Sequence, residues 1–191
     1  MPFAFTLFPD HSDTSFDDIP TMKTKILLLL SLALYLQITA RAETVELVTG
    51  PKVGVTYDSA KWTPLAPLRA PKPGTFQSMT WALKVAESVQ VTVTSHPHRK
   101  SEKECKSETL DMQKFRGDPA ELVRERRKTL AGRNWLVLDF RNPYTRPPRT
   151  EIHYFLPTDD GYVCLFVIGE EANLPQHHEA IEGFLGKVQL K

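Results

Sequence analysis

From residue 52 onward, apolar residues recur at every second position in short runs separated by turn-forming residues. Lys52–Asp58 places Val53, Val55 and Tyr57 on one side, the period-two spacing of a strand with one buried face. Phe76–Lys84 sets Phe76, Ser78, Thr80 and Ala82 against Gln77, Met79, Trp81 and Leu83, and Val89–His96 alternates Val89, Val91 and Val93. With Val85–Ser88 between them, these two runs predict a hairpin. Three further strands are predicted at Asn134–Asn142, Arg149–Pro157 and Gly161–Glu170. The last is apolar almost without interruption, the mark of a central strand covered on both faces.

The intervening stretches break this period. Ser59–Phe76 contains Pro64, Pro67, Pro71 and Pro73 and predicts a surface loop. Pro97–Gly117 is polar, with a short helix expected around Leu110–Phe115. Asp118-Pro119-Ala120-Glu121 joins a favoured N-cap, a proline at the first helical position and a glutamate that closes a capping box. It predicts a helix to about Leu130, ended near Gly132 and with most of its surface in water. Leu174, Ile181, Phe184 or Leu185, and Val188 predict a final helix over Leu174–Leu190. The element order gives an α+β domain: a single antiparallel sheet of about six strands flanked by helices.

This order resembles the PsbP-like fold shared with Mog-type nuclear import factors and exported bacterial proteins of the DcrB kind. The residues carrying the resemblance are Tyr57-Asp58 followed by Trp62, the Gly132 entry into the strand after it, the Gly161-Tyr162 entry into the apolar strand, and the last helix. It spans about Lys52–Lys191. It implies a non-enzymatic accessory or binding protein and carries no shared catalytic motif.

The start of the chain reads differently. Ile26–Leu36 is an apolar block preceded by Lys23 and Lys25 and followed by Ala40-Arg41-Ala42. It falls short of the roughly 20 residues a spanning helix needs, and it has the basic start, apolar stretch and small-residue end of a secretory signal. The expected division is a non-native leader over 1–21, a signal peptide over 22–42 cleaved after Ala42, and one exported domain over 43–191. An uncleaved anchor is the alternative. The leader holds four aspartates and no lysine or arginine, which weakens the charge bias that orients a signal. The simplest account is translation from Met22. The expected location is secreted or periplasmic, with no membrane span after cleavage.

Composition adds a charge asymmetry. The domain after Ala42 carries a net charge of only +2, which excludes bulk attraction to nucleic acid. His96–Arg149 holds 14 basic and 8 acidic side chains, whereas Thr150–Lys191 holds 2 and 7. On the predicted helix, Glu121 can pair with Arg124 and Glu125 with Lys128, leaving Arg126 and Arg127 uncompensated. Arg124, Arg126, Arg127, Lys128, Arg146 and Arg149 form the candidate surface for an unknown protein or an anionic envelope component, since guanidinium forks suit carboxylate or phosphate.

Catalytic signatures are sparse. There is no G-x-S-x-G and no glycine-rich phosphate loop. His177-His178 lacks the second histidine of H-E-x-x-H, and Asp159-Asp160 before Gly161 is explained by turn chemistry. No catalytic, cofactor or metal residue is assigned. Cys105 and Cys164 are a possible disulfide in an oxidising compartment; Cys164 could equally be a buried thiol. Trp62, Trp81 and Tyr144 are candidate exposed aromatics, although core packing suits both tryptophans. The function expected is an exported accessory or protein-interaction module, the alternative being a small exported hydrolase-type enzyme.

Overall fold

The computed structural model describes residues 42–191 except 71 and 73. The leader and signal therefore lie outside the described residues, apart from Ala42. Ten strands form two antiparallel sheets rather than the single six-stranded sheet expected. The larger holds β3 (Trp62–Pro64), β4 (Gln77–Leu83), β5 (Ala86–His96), β9 (Gly161–Glu170), β8 (Arg149–Thr158), β7 (Arg133–Asn142) and β6 (Glu121–Leu130), in that spatial order. The smaller places β2 (Val53–Asp58) between β1 (Ala42–Leu47) and β10 (Val188–Leu190). Helix α1 spans Glu102–Lys114, and a 3-10 turn at Pro175–His177 leads into α2, His178–Leu185. The single helix expected over Leu174–Leu190 is thus three elements. The chain turns after Gly186 and adds β10 to β2, with Val188 opposite Val55.

Alternation along each strand sends side chains to two cores. Trp135 and Val137 of β7, Tyr154 and Leu156 of β8, and Val163, Leu165 and Val167 of β9 join the larger core, with Val55 and Tyr57 of β2 and Phe184 and Leu185 of α2. Trp62 and Trp81 lie there too, their rings 4.8 and 5.2 Å from Phe184. Leu136, Leu138, Phe140, Phe155 and Tyr162 point the other way, with Cys105 of α1. Two-sided coverage is the reason β9 carries so few polar residues.

The helix expected at Asp118–Leu130 is strand β6. Asp118 is used as an anchor rather than an N-cap: Asn142 Nδ2 donates to its carbonyl at 3.0 Å and its carboxylate at 3.3 Å. Ala131 and Gly132 have φ of 48° and 74°, the two positive values of a tight hairpin turn. Leu130 faces Arg133 across it. Gly132 therefore reverses a strand instead of ending a helix.

The true helix starts earlier than the expected 110–115 segment. Ser101 caps α1, accepting from Glu104 N while the Glu104 carboxylate accepts from Ser101 N. Its far end is pinned by Glu151, which is 1% exposed beneath the helix. Arg116 Nη1 donates to both carboxylate oxygens at 2.8 and 2.9 Å, and Gln113 Nε2 donates at 3.1 Å. Gln113 Oε1 accepts from Ala120 N at 3.3 Å, so one buried carboxylate organises the exit from α1 toward β6.

Candidate functional site

The six basic residues expected to form a docking surface are separated by the fold. After a bulge at Leu122–Arg124, β6 alternates its cations between the two sheet faces. Arg124 and Arg126 meet on Asp139: Arg124 Nη2 approaches Oδ2 at 2.7 Å, and Arg126 reaches both oxygens at 3.1 Å. Lys128 pairs with Glu182 of α2. On the opposite face Arg127 pairs with Glu102, and Glu125 with Lys106, both helix residues on α1. The i+3 pairs expected on a helix do not exist, and Arg126 and Arg127 are compensated. Arg146 and Arg149 are exposed in the β7–β8 connection and at the start of β8, with no ion pair among the described residues.

The other candidates are scattered. Cys105 and Cys164 belong to the same cluster beneath α1 and are free thiols in this structure. Burial pushes them up to about 11 and about 12. Trp62 and Trp81 are core residues, whereas Tyr144 is 63% exposed. His96 is half-buried and stacked 4.2 Å from Tyr162; burial, then Lys100 and His98, lower it to about 4. His153 sits among Phe140, Phe155 and Phe166. Among the described residues no three His, Cys, Asp or Glu side chains converge on a point that could hold a metal ion.

The opening of interest lies where sequence reasoning saw only a surface loop. The proline-rich segment leaves the sheet after Pro64 and returns at Gln77, arching beside β4. The cleft so formed has a volume of about 550 Å³. Its walls carry Leu65, Pro67, Arg69, Lys72 and Phe76, and its floor Ser78, Met79, Thr80 and Gln90. Among the described residues two cations line it, and no carboxylate, histidine or cysteine does. Phe76 is 59% exposed and Leu65 52%.

The rim is held in place from within. Gln77, itself buried, accepts from Val48 N at 2.7 Å and Thr49 N at 3.1 Å, and donates to the Arg69 carbonyl at 3.2 Å. Thr75 returns both its N–H and its hydroxyl to the Lys72 carbonyl, at 3.1 and 2.8 Å, around Gly74 at φ 74°. Thr80 and Thr92 share a hydroxyl bond of 2.9 Å, and Thr94 donates to Ser78 at 3.1 Å. The Gln77 bonds tie the loop at Arg69 to the sheet and to the segment after β1. No local motif announces the cleft, because it depends on where the loop departs from the sheet.

Comparison with known proteins adds the fold and little else. No family model matches the chain, and no curated protein does. The chain is similar in structure to the cyanobacterial PsbP of Synechocystis, with a TM-score of 0.52 at 13% identity, over 80% of this chain and 94% of that one. A fainter likeness is to LpqN of Mycobacterium tuberculosis, described as involved in cell envelope biogenesis, with a TM-score of 0.41 at 10% identity over 84% and 96% of the chains. Another is to the immunity protein TplEi of Pseudomonas aeruginosa, with a TM-score of 0.43 at 11% identity over 91% and 86%. The chain has a PsbP-like fold.

Proposed function

We propose that this protein is an exported, non-enzymatic accessory module of the kind the DcrB resemblance implies, released into a periplasmic or extracellular space by cleavage after Ala42. It receives an anionic partner in the cleft between the proline-rich loop and β4. The observation that carries this reading is the lining: Arg69 and Lys72 beside exposed Leu65 and Phe76, with no carboxylate against them. A hydrolase needs a nucleophile beside a base. Here Ser78 and Thr80 line a cleft in which no described residue offers them a histidine or carboxylate. The cations of β6, by contrast, already face carboxylates of the protein itself: Arg124 and Arg126 face Asp139, Arg127 faces Glu102 and Lys128 faces Glu182.

A photo-crosslinking residue in place of Phe76 tests the reading in the native envelope. It should yield a discrete adduct that Arg69→Glu with Lys72→Glu abolishes. An adduct unaffected by that charge reversal, or none at all, refutes the cleft as the interaction surface.

A further inference from the structure

We infer that the cleft takes an extended acidic peptide, which adds to the open half of the β4 edge as an extra strand. This rests on the reading of the cleft as the interaction surface and specifies its partner. The edge is open because β3 is too short. Its three residues pair only with Leu83, Ala82 and Trp81 of the seven-residue β4. One further bond, Leu65 N to Thr80 O at 2.9 Å, ends the ladder. In an antiparallel strand the N–H and C=O of one residue point to the same side, and those of the next to the other. Thr80 O points away from β5, so the N–H of Thr80 and both backbone groups of Ser78 do as well. Among the described residues none of these three groups has a partner. The hydroxyl pairs Ser78–Thr94 and Thr80–Thr92 agree with this phase. They occupy opposed positions of the β4–β5 ladder, and such close pairs do not exchange backbone bonds.

The loop that leaves this edge is poorly suited to close it. Proline cannot donate to a ladder, and Pro64 and Pro67 stand where the loop departs. Instead the loop stands off and makes a slot. An unpaired stretch of edge is a template for strand addition, and main-chain bonds with side-chain pockets are how such additions gain affinity and selectivity. Arg69 and Lys72, with no carboxylate in the lining, select acidic residues, and Leu65 and Phe76 select apolar ones between them. A sugar polymer would use the charges and hydroxyls but leave the three backbone groups unanswered, so the peptide is the better match.

The test uses a fluorescein-labelled heptapeptide of alternating glutamate and valine, and the same peptide methylated at every backbone nitrogen. Fluorescence anisotropy should show the first binding residues 43–191 and the second binding at least tenfold more weakly. Arg69→Glu with Lys72→Glu should weaken the first at least tenfold. Ser78→Pro removes an outward donor while leaving the backbone bonds between β4 and β5 in place, and should weaken it similarly. Amide exchange at Ser78 and Thr80 should slow when the peptide is bound, a readout that survives even if Ser78→Pro misfolds. Equal binding of both peptides, or unprotected amides, overturns strand addition; if the charge reversal still weakens binding, the cleft reading stands. Binding of oligogalacturonate but not the peptide assigns the cleft to an acidic glycan and overturns the inference. Self-association of the protein that Ser78→Pro abolishes assigns the edge to a second copy and overturns it as well. Absence of a Phe76 adduct, or its survival in the Arg69→Glu, Lys72→Glu variant, and not the outcome of this titration, is what removes the cleft reading itself.

Discussion

Replacing Arg116 by methionine leaves Glu151 buried beneath α1 without its cation. Burial on its own would raise this carboxyl. Contacts with His153, Arg116 and Gln113 together outweigh it and hold the group at about 2, against an ordinary 4.5. His153 Nε2 stands 3.6 Å from the carboxylate, beyond hydrogen-bond length, so Arg116 and Gln113 carry most of the effect. The interval between the two values corresponds to roughly 3 kcal/mol of stability. Because the folded value lies below the unfolded one, that stability is complete above about 4.5 and is lost as pH falls through about 2. Arg116 is 37% exposed in its side chain, so water screens part of its attraction. Its loss should therefore cost less than the roughly 3–5 kcal/mol of a fully buried pair, about 2 kcal/mol at pH 7. For a domain of this size that lowers the melting midpoint by about 4–8 °C.

Urea unfolding followed by tryptophan fluorescence reads this directly, since Trp62, Trp81 and Trp135 are all buried. The gap between wild type and Arg116→Met should shrink from pH 7 to pH 3, because without the cation burial pushes Glu151 up and acid neutralises it. Glu151→Gln should flatten the wild-type pH dependence in the same window. A gap below about 0.5 kcal/mol at pH 7, or one that stays constant down to pH 3, refutes the assignment of Glu151 as an ionised anchor for α1.

Three other outcomes follow from particular residues. Cys105 and Cys164, pushed up to about 11 and about 12, should resist iodoacetamide in the folded reduced protein at pH 8 and react at once in urea. Export through an oxidising compartment should join them, with two electrons passing to a disulfide-donating oxidant; two alkylatable thiols in non-reduced, denatured exported protein would refute the bridge. Gly161→Ala should abolish soluble expression or cost several kcal/mol in urea unfolding, because φ is 144° and the new Cβ would stand 1.9 Å from the His96 carbonyl oxygen; a fully stable variant would contradict the β5–β9 end geometry. A synthetic peptide of residues 118–132 should gain helical circular dichroism in trifluoroethanol although the same residues are a strand and turn in the protein; no gain would mean that the capping residues carry no helical preference of their own.

The strands were legible wherever burial was strong enough to write a period into the chain. The β4–β5 hairpin and β7, β8 and β9 each send alternate side chains into a core, so the alternation was visible. Where burial is slight the pattern fades. The helix α1 buries only Cys105, Thr109 and Gln113; its Ser101–Glu104 capping box stood in the sequence, but no apolar stripe led up to it. The short strand β1 abuts the expected signal end and is mostly exposed. The cleft was illegible for a different reason, since it belongs to no single segment. The misreading of β6 is the most instructive. Nearly every side chain of that strand is exposed or half-exposed, so no core imposed a period of two, and Asp118–Glu121 left only a local helical signal to follow. Tertiary partners reversed it: Asn142 holds Asp118, and Asp139, Glu182 and Glu102 draw the cations to alternate sides. Charge crowded onto an outermost strand is how sheets discourage uncontrolled edge pairing. The same arginines that suggested a docking surface thus stand on the outermost strand at one end of the seven-stranded sheet, paired with carboxylates of the protein itself. At the opposite end β3 leaves half of β4 unpaired under a loop carrying two cations, and it is there that the sheet is open to a partner.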